Sequence, residues 1–509
     1  MTLLMGTDHP PGSRMSNRIT RRRPSGRATV MRLIAATVAV GVAVACSSDK
    51  VIAPSGPKVS VCHTEAAVST IGEIFLSELP EHRRNGDYVA RLEVSRTNVA
   101  GDSIHFTRIT DALAVARAGR LARNESETAA CRITIAVAPG SFTGSTAPSD
   151  DPAAERFPLV VDVPDISLIG ALKMAVDAGG RATGGSQTAD ATTITANPAL
   201  IISGGDNSRT AISEELFIVN AHPVGSKGNG AVIEGFVLQN GRAPDATVVG
   251  GQGVLSMRAR NLVIRGNRFE GTFTEALDLR ASSALVDRNY VTGRAASCDF
   301  CLGGPAGEFD VRNNRLNGPG GLPGIFTVPA SVVPVPDIVE QYVLPTSALV
   351  TATITNNEVR GHLSKPVGVG IRIGAVGPFA PIEGTSRITI TGNSVINNTF
   401  GMIFEAAFPV AGSVLRGDLD IKTSGNTFSQ SCQNDVFVSF TRHISGLGLV
   451  SPFPSFLKSS TYSITSAGDL PLDKAWYTNP AGYGNTLIVN GQTMPNVSNA
   501  AYDAARVCP

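Results

Sequence analysis

Six short segments in the second half of the chain share one pattern of hydrophobic and polar positions. In each segment apolar and polar residues alternate, an asparagine follows, another apolar residue comes two positions later, and a glycine usually ends the unit. The aligned asparagines are Asn267, Asn289, Asn314, Asn357, Asn393 and Asn426, at steps of 22, 25, 43, 36 and 33 residues. A period of roughly 20 to 50 residues indicates stacked structural repeats.

The repeat unit is too short for a helix pair and has the two-residue alternation of a β-strand. We therefore predict an all-β solenoid, a right-handed parallel β-helix in which each repeat forms one coil. Apolar side chains are expected to stack inside it at about 4.8 Å; they are Ile264, Val286, Val311, Ile354, Ile390 and Ile421.

A single Asn-Gly segment is typical of a surface turn, but six copies in register favour an inner corner. There the asparagine amides would bond from coil to coil, and Asn would tolerate the left-handed backbone of a tight corner.

The N-terminal segment is typical of an export signal. An arginine-rich stretch precedes thirteen apolar or small residues, 33–45, which are too few to span a bilayer comfortably. The junction Ala43-Val44-Ala45-Cys46 resembles the lipobox of bacterial lipoproteins, in which the cysteine is acylated, although Ala43 stands where leucine is usual. Lipidation at Cys46 is the prediction and ordinary secretion the alternative. By analogy with well-studied bacteria, Ser47 after the cysteine suggests an outer-membrane lipoprotein, attached to the membrane through lipid only.

Charge and cysteine content fit an exported chain. Residues 1–45 hold seven Arg and one Asp of the 43 basic and 42 acidic side chains, so the remainder carries 36 against 41 and a net charge of about −5. Nucleic acid is therefore not expected as a partner. Six further cysteines favour disulfides of undetermined pairing. For Cys298-x-x-Cys301 a local disulfide, free thiols and a weak zinc pattern are the alternatives, and no metal site is assigned.

A helix followed by a strand precedes the repeats. Helical spacing of Ile109, Ala112, Leu113, Val115, Ala116 and Leu121 predicts an amphipathic helix over 109–123, and the strand beginning at Arg132 runs into Pro139-Gly140-Ser141-Phe142. With Phe157-Pro158 and Ile169-Gly170, this order resembles the start of pectin-lyase-like β-helix proteins, and most closely a bacterial exported branch of undefined activity. The resemblance covers roughly residues 105–440 and implies that the helix caps the first coil.

The predicted organisation is a leader over 1–45, a tether over 46–61, a cap region over 62–130, the β-helix over 131–440 and a C-terminal cap region over 441–509. Loops are expected to leave the cylinder at 171–190, 317–347 and 405–417.

Candidate chemistry lies on a second strand in each coil. Aligning the inward pairs Leu277/Leu279, Cys298/Phe300, Ile325/Thr327, Ile371/Ile373 and Met402/Phe404 places Asp278, Asp299, Phe326, Arg372 and Ile403 in one outward column. Two carboxylates one coil apart suit acid/base or calcium-assisted polysaccharide chemistry. Asp278, Asp299 and Arg372 are thus the candidate catalytic residues, with Arg280 and Phe326 as candidate substrate contacts. The alternative is a solvated ladder of paired charges, since a one-residue slip turns every side chain to the other face.

Three functions follow. The preferred hypothesis is an envelope-anchored module that binds polysaccharide or cell-wall glycan along the polar outer face of the solenoid. The second is a polysaccharide lyase or glycoside hydrolase that acts on acidic polysaccharide at the Asp278, Asp299 and Arg372 column. The third is a structural or adhesive surface rod. No cofactor is expected, apart from calcium in the enzymatic case, and fold alone does not separate the three.

Overall fold

The computed structural model describes residues 56–65, 68–97, 103–125, 129–145, 151–186, 188–196, 217–219, 228–240, 252–257, 259–280, 282–303, 307–318, 323–328, 350–363, 368–374, 384–405, 417–440, 459–471, 476–478 and 484–494. Cys46, the leader and Cys508 lie outside these residues. Within the described ranges, no helix combines the length and apolar character that crossing a bilayer requires.

Three long sheets form the cylinder. Sheet I has 14 strands: His105–Phe106, Arg91–Val94, Ile133–Val137, Ile166–Ile169, Val232–Glu234, Leu262–Arg265, Ser283–Asp287, Glu308–Arg312, Thr351–Thr355, Gly384–Thr391, Gly417–Ser424, Thr461–Ser466, Thr486–Val489 and Gln492–Met494. Sheet II has 10: Glu155–Arg156, Gly140–Ser145, Thr192–Ala196, Phe236–Asn240, Arg268–Glu270, Tyr290–Val291, Arg315–Asn317, Glu358–Arg360, Ser394–Ile396 and Thr427–Ser429. Sheet III has 10: Leu159–Val161, Phe217–Val219, Val254–Met257, Thr272–Arg280, Arg294–Gly303, Ile325–Val328, Val369–Gly374, Phe400–Glu405, Asn434–Ser439 and Trp476–Thr478.

Each complete coil runs from sheet I through a tight corner into sheet II, then into sheet III and back. Neighbouring strands of successive coils pair in parallel, for example Ser283–Asp287 on Glu308–Arg312. The prediction of a right-handed parallel β-helix is confirmed. Its core is a continuous stack of fully buried side chains, which includes all six apolar residues predicted to lie inside. Ile421 pairs with Ile388 rather than with Ile390, so it belongs to the neighbouring inward column.

The predicted asparagine ladder occupies the corner between sheets I and II. Asn289 shows the arrangement: its Nδ2 donates to Oδ1 of Asn314 at 3.1 Å and to the carbonyl of Ile264 at 2.9 Å, while its backbone N–H donates to the same Oδ1 at 2.8 Å. Equivalent bonds run from Asn267 to Asn426, and the last asparagine donates to Asp469. The ladder is buried throughout.

The left-handed backbone lies one residue before each ladder position, not at the asparagine itself as predicted. The six preceding residues all have positive φ, between 52° and 65°: Gly266, Arg288, Asn313, Asn356, Gly392 and Gly425. The ladder asparagine has to aim its amide along the cylinder axis, and the residue before it makes the sharp turn. Glycine and asparagine therefore dominate that preceding position.

A helix covers the N-terminal end of the cylinder. Helix α1 spans Leu79–Arg84 and helix α2 spans Ile109–Ala122, with 3-10 turns at Leu76–Glu78 and Thr188–Asp190. Helix α2 contacts the first strands of all three sheets. The cap prediction is thereby confirmed, and the physical reason is that a terminal coil would otherwise expose apolar interior.

One face of α2 differs from its prediction. Leu121 is 48% exposed, whereas Arg120 is fully buried and donates to the hydroxyl of Tyr88, to Glu125 and to the carbonyl of Cys131. The stem of Arg120 fills the apolar position because its charged end finds polar partners at the edge of the cap.

A small antiparallel sheet completes the N-terminal cap. Its strands are Val68–Phe75, Lys58–Glu65 and Tyr88–Val89, with the middle one paired to both others. A disulfide joins Cys62 to Cys131, with their Cα atoms 5.9 Å apart. It ties this sheet to the start of the cylinder.

Sheet I extends beyond residue 440, where the sequence pattern predicted the end of the β-helix. Thr461–Ser466 and Thr486–Val489 continue it in parallel, and Gln492–Met494 turns back antiparallel. The sequence pattern allowed a last strand over 485–490, which corresponds to Thr486–Val489. Thr461–Ser466 escaped the prediction because a long insertion separates it from the preceding coil, so the period is lost although the alternation remains.

Candidate functional site

The predicted column on sheet III is correct except at Asp299. Hydrogen-bonded register places Asp278 beside Cys301, then Phe326, Arg372 and Ile403. Asp299 follows one residue after Cys298, which pairs with Glu275, and so it lies in the preceding column. The two carboxylates are therefore not neighbours in one column, and the predicted acid/base pair is not formed.

A β-bulge explains the error. Register between strands Thr272–Arg280 and Arg294–Gly303 shifts between Phe273 and Glu275. The extra residue changes which side chains oppose each other. The inward pair Leu277/Leu279 consequently matches Phe300/Leu302, not Cys298/Phe300 as the sequence alignment assumed.

The column itself is buried. Asp278 is 5% exposed and accepts from Nε of its neighbour Arg280 at 2.9 and 3.0 Å. Arg372, 4% exposed, donates from Nε to Glu405 at 2.6 Å. Asp278, Arg280 and Arg372 are thus buried in ion pairs, and this column does not face solvent as predicted.

Phe326, the predicted aromatic contact, belongs to the same covered layer. It is 3% exposed, and the guanidinium of Arg372 lies 5.1 Å from its ring centroid. That distance allows a cation–π contact. The ring therefore packs against the buried arginine and does not offer a stacking surface to a sugar.

Asp299 points into the corner between sheets II and III and reaches His362. Its Oδ2 lies 2.9 Å from Nε2 of His362, and Nδ1 of the same ring lies 3.1 Å from Oδ1 of Asn398. All three residues are fully buried. Asp299 and His362 belong to coils that are separated by one intervening coil, and the imidazole reaches across it. This is possible because the intervening coil carries Gly318 and Gly324, where a Cβ would lie 2.4 Å and 3.0 Å from the ring.

Burial raises the pKa of Asp299, an effect that the charge and hydrogen bond of His362 oppose. Its second oxygen, Oδ1, is buried and has no hydrogen-bond partner among the described residues. The sequence signal for this pair was weak, since His362 and Asp299 are 63 residues apart. With no solvent access, the Asp299–His362 pair acts as an internal polar contact between coils.

The Cys298-x-x-Cys301 segment forms the local disulfide that was one of its three interpretations. The Cα atoms are 5.6 Å apart, and both residues are buried. This excludes a zinc site at these two thiols, because disulfide sulfurs are not available as thiolate ligands.

Part of the outer face of sheet II is covered as well. Residues 171–186 lie across it, and Arg181 donates to Oδ1 of Asn356 at 3.1 Å while Asp177 accepts from Arg315 at 2.7 Å. Arg315 in turn contacts Glu358 at 3.1 Å. The segment predicted as a departing loop is therefore a strap held along the cylinder by ion pairs.

Sheet I presents the open face. Its outward positions alternate with the buried core along most strands, and exposed examples on successive coils are Glu308, Thr351, Arg387, Thr353, Thr389 and Lys422. Side by side, these residues form columns parallel to the cylinder axis, with a step of about 4.8 Å.

A shallow groove of about 490 Å³ lies on this face. Asn261, Ser283, Glu308 and Thr351 line one side over four consecutive coils, and Val263, Leu285 and Asp310 line the other. Aliphatic and hydrogen-bonding groups therefore alternate across a surface open to solvent. The aligned repeats include the strands of this face, but the candidate residues were chosen from the charged strand that lies in sheet III.

No family model matches the chain, and no curated protein matches it. Among solved structures it is similar to DFA-IIIase from Arthrobacter chlorophenolicus A6 without its lid in complex with GF2, at 12% identity and a TM-score of 0.39, over 81% of this chain and 97% of that one. A cysteine-to-alanine mutant of the same enzyme in complex with DFA-III matches at 12% identity and a TM-score of 0.32, over the same shares. These likenesses concern the fold and assign no role to any residue.

Proposed function

We propose that this protein binds extended polysaccharide along the outer face of sheet I. The observation that carries the proposal is the exposure of this face over the four successive strands Glu308–Arg312, Thr351–Thr355, Gly384–Thr391 and Gly417–Ser424. By contrast, the strap covers part of the outer face of sheet II, and the predicted column on sheet III holds buried ion pairs. A polymer lying along the cylinder axis would meet equivalent side chains at each coil, about every 4.8 Å.

The groove chemistry suits an uncharged, hydroxyl-rich chain. Glu308 and Asp310 supply carboxylate acceptors for sugar hydroxyls, and Asp310 is positioned by Arg312 at 3.4 Å. Val263 and Leu285 supply apolar surface for the C–H faces of a sugar ring. Carboxylates at the groove would repel uronates, so we expect neutral glycans to bind better than acidic ones.

A binding assay on immobilised neutral and acidic polysaccharides tests this proposal. We expect the triple variant Glu308→Ala/Asp310→Ala/Thr351→Ala to weaken binding of neutral glycan at least tenfold, because each hydrogen bond contributes about 0.5–1.5 kcal/mol and 1.4 kcal/mol is a factor of ten. A matched control truncates three exposed strand residues of sheet II: Arg360→Ala/Thr427→Ala/Ser429→Ala.

Equal losses in the two triple variants, or no binding by the native chain to any glycan, would contradict the proposal and favour a structural rod. Reducing-end release in the same incubations would instead support an enzyme. In that event Asp278→Asn and Arg372→Met are the variants that test the buried column of sheet III.

The proposal places the protein in the cell envelope, exported and lipidated at Cys46. The leader pattern supports this placement, as do the disulfides Cys62–Cys131 and Cys298–Cys301, since such bonds persist in oxidising compartments. Metabolic labelling with a radioactive fatty acid tests it. Label should enter the native chain and be absent from Cys46→Ser, and unlabelled native protein in the medium would indicate ordinary secretion.

A further inference from the structure

A second cluster of chemically active side chains lies in the N-terminal cap, and none of its residues lines the groove on sheet I. Nδ1 of His63 and Nδ1 of His82 approach the same oxygen of Asp87, Oδ2, at 2.8 and 2.7 Å. The donor atoms of these three residues all lie within 4.8 Å of one another. No sequence pattern indicated this set, apart from the position of His63 next to Cys62.

The spacing is close to what one metal ion requires. Zinc binds imidazole nitrogen at about 2.0–2.1 Å and carboxylate oxygen at about 2.0–2.2 Å, so ligand atoms around a tetrahedral ion are about 3.4 Å apart. The two nitrogen–oxygen distances in the cluster would have to open by about 0.6 Å. Rotation of two partly exposed imidazoles can supply a movement of that size.

Burial is graded across the cluster. The side chain of Asp87 is 3% exposed, whereas those of His82 and His63 are 28% and 42% exposed. The carboxylate is therefore fixed at the bottom, and the imidazoles form an open rim. An ion can enter from solvent on that side and keep a water molecule as its fourth ligand.

One strand, helix α1 and the turn that follows α1 position the three ligands. His63 is on the middle strand of the cap sheet, next to the disulfide-bonded Cys62. His82 is on α1, and the backbone N–H of Asp87 donates to the carbonyl of His82 at 3.0 Å. Preorganisation of this kind reduces the ordering that binding would otherwise require.

We propose that His63, His82 and Asp87 form a site for a divalent first-row transition ion, with zinc as the expected occupant. Two imidazoles and one carboxylate are a donor set that suits zinc and not calcium, which takes six to eight oxygen ligands. The site would bind its ion independently of any glycan on sheet I.

Titration calorimetry with zinc chloride on the tag-free full chain tests the proposal. We expect one ion per chain and a rise in the thermal unfolding midpoint on adding zinc, because a ligand that binds the folded state stabilises it. His82→Gln and Asp87→Asn should each weaken zinc binding at least tenfold. The matched control is His105→Gln, another partly exposed histidine of the cap region.

Calcium chloride in place of zinc chloride should give no heat at this site. Absence of zinc binding by the native chain, or binding that His82→Gln and Asp87→Asn leave unchanged while circular dichroism shows them folded, would overturn the assignment. If Asp87→Asn does not fold, the decision rests on His82→Gln and His63→Gln, which keep the buried carboxylate.

Discussion

The asparagine corner and the outer face of sheet III are built from the same coils, yet only the corner follows a rule visible in the sequence. At the corner every amide bonds both its counterpart and a backbone carbonyl on adjacent coils, so one residue type recurs at each step. On sheet III the column runs Asp278, Cys301, Phe326, Arg372 and Ile403, with no shared chemistry.

The difference shows what fixes register in a solenoid. A corner amide has a single geometry that satisfies its bonds, and a slip of one residue would leave buried polar groups without partners. Side chains on the outside of sheet III are instead satisfied locally, as Arg280 satisfies Asp278 two residues away. Local pairing tolerates a bulge, and the bulge at Phe273 and Glu275 occurs in that sheet.

The largest effect is expected from breaking the corner at Asn314. Asn314→Ala would remove the acceptor for the backbone N–H and Nδ2 of Asn289 and the donor to the carbonyl of Val286. Each buried polar group left without a partner costs about 1–3 kcal/mol, so the free energy of unfolding should fall by about 5 kcal/mol. Urea unfolding followed by circular dichroism measures the loss.

Asn317→Ala is the control for the corner. This asparagine belongs to the same coil but lies half-buried on the outside of sheet II, where its Nδ2 donates to the hydroxyl of Tyr290 at 3.1 Å. We expect a loss of about 1 kcal/mol. Similar losses for the two variants would show that the ladder adds nothing special to the coil.

The same contrast explains what was predictable. Six asparagines in register specified the fold, the corner and the inward apolar columns, because each obeys a period set by the coil. Asp299 was misplaced because its position depends on a bulge and on its contact with His362, two coils further along. Sequence alternation gives the face of a side chain but does not count inserted residues.

The strands of the exposed face of sheet I also belong to the repeats. The candidate functional residues were not chosen from them for a different reason. Charged residues on sheet III suggested chemistry, whereas Thr351, Thr353 and Thr389 resemble ordinary surface. Burial decides between the two faces, and on sheet II it depends on the packing of the strap. Those contacts join segments far apart in sequence, such as Arg181 and Asn356.

A smaller effect is expected when the ion pair on sheet III is broken. Arg372→Met would leave Glu405 buried without its guanidinium partner, which costs about 3 kcal/mol, toward the lower end for such pairs because the carboxyl can take up a proton. The double variant Arg372→Met/Glu405→Leu should recover most of that loss, since well-packed apolar residues often replace a buried pair without penalty. A double-mutant cycle of unfolding free energies gives the coupling, and additive losses would mean that the two side chains do not interact.

The smallest effect concerns a single ionisation, that of Asp299. Because burial raises its pKa in the folded chain, the folded state retains a proton that the unfolded state releases above about pH 3.9. The contribution of Asp299 to stability is therefore full below that pH and is lost as the pH rises through the raised folded value of the pKa.

The variant Asp299→Asn keeps an oxygen that can accept from His362 but cannot ionise. The unfolding free energy of the native chain minus that of Asp299→Asn should decrease as the pH rises from about 3.5 to 8, while Asp310→Asn on the open face serves as the control. A difference that increases with pH would mean that the attraction of His362 outweighs burial, and the buried pair would then hold the coils together as an ion pair.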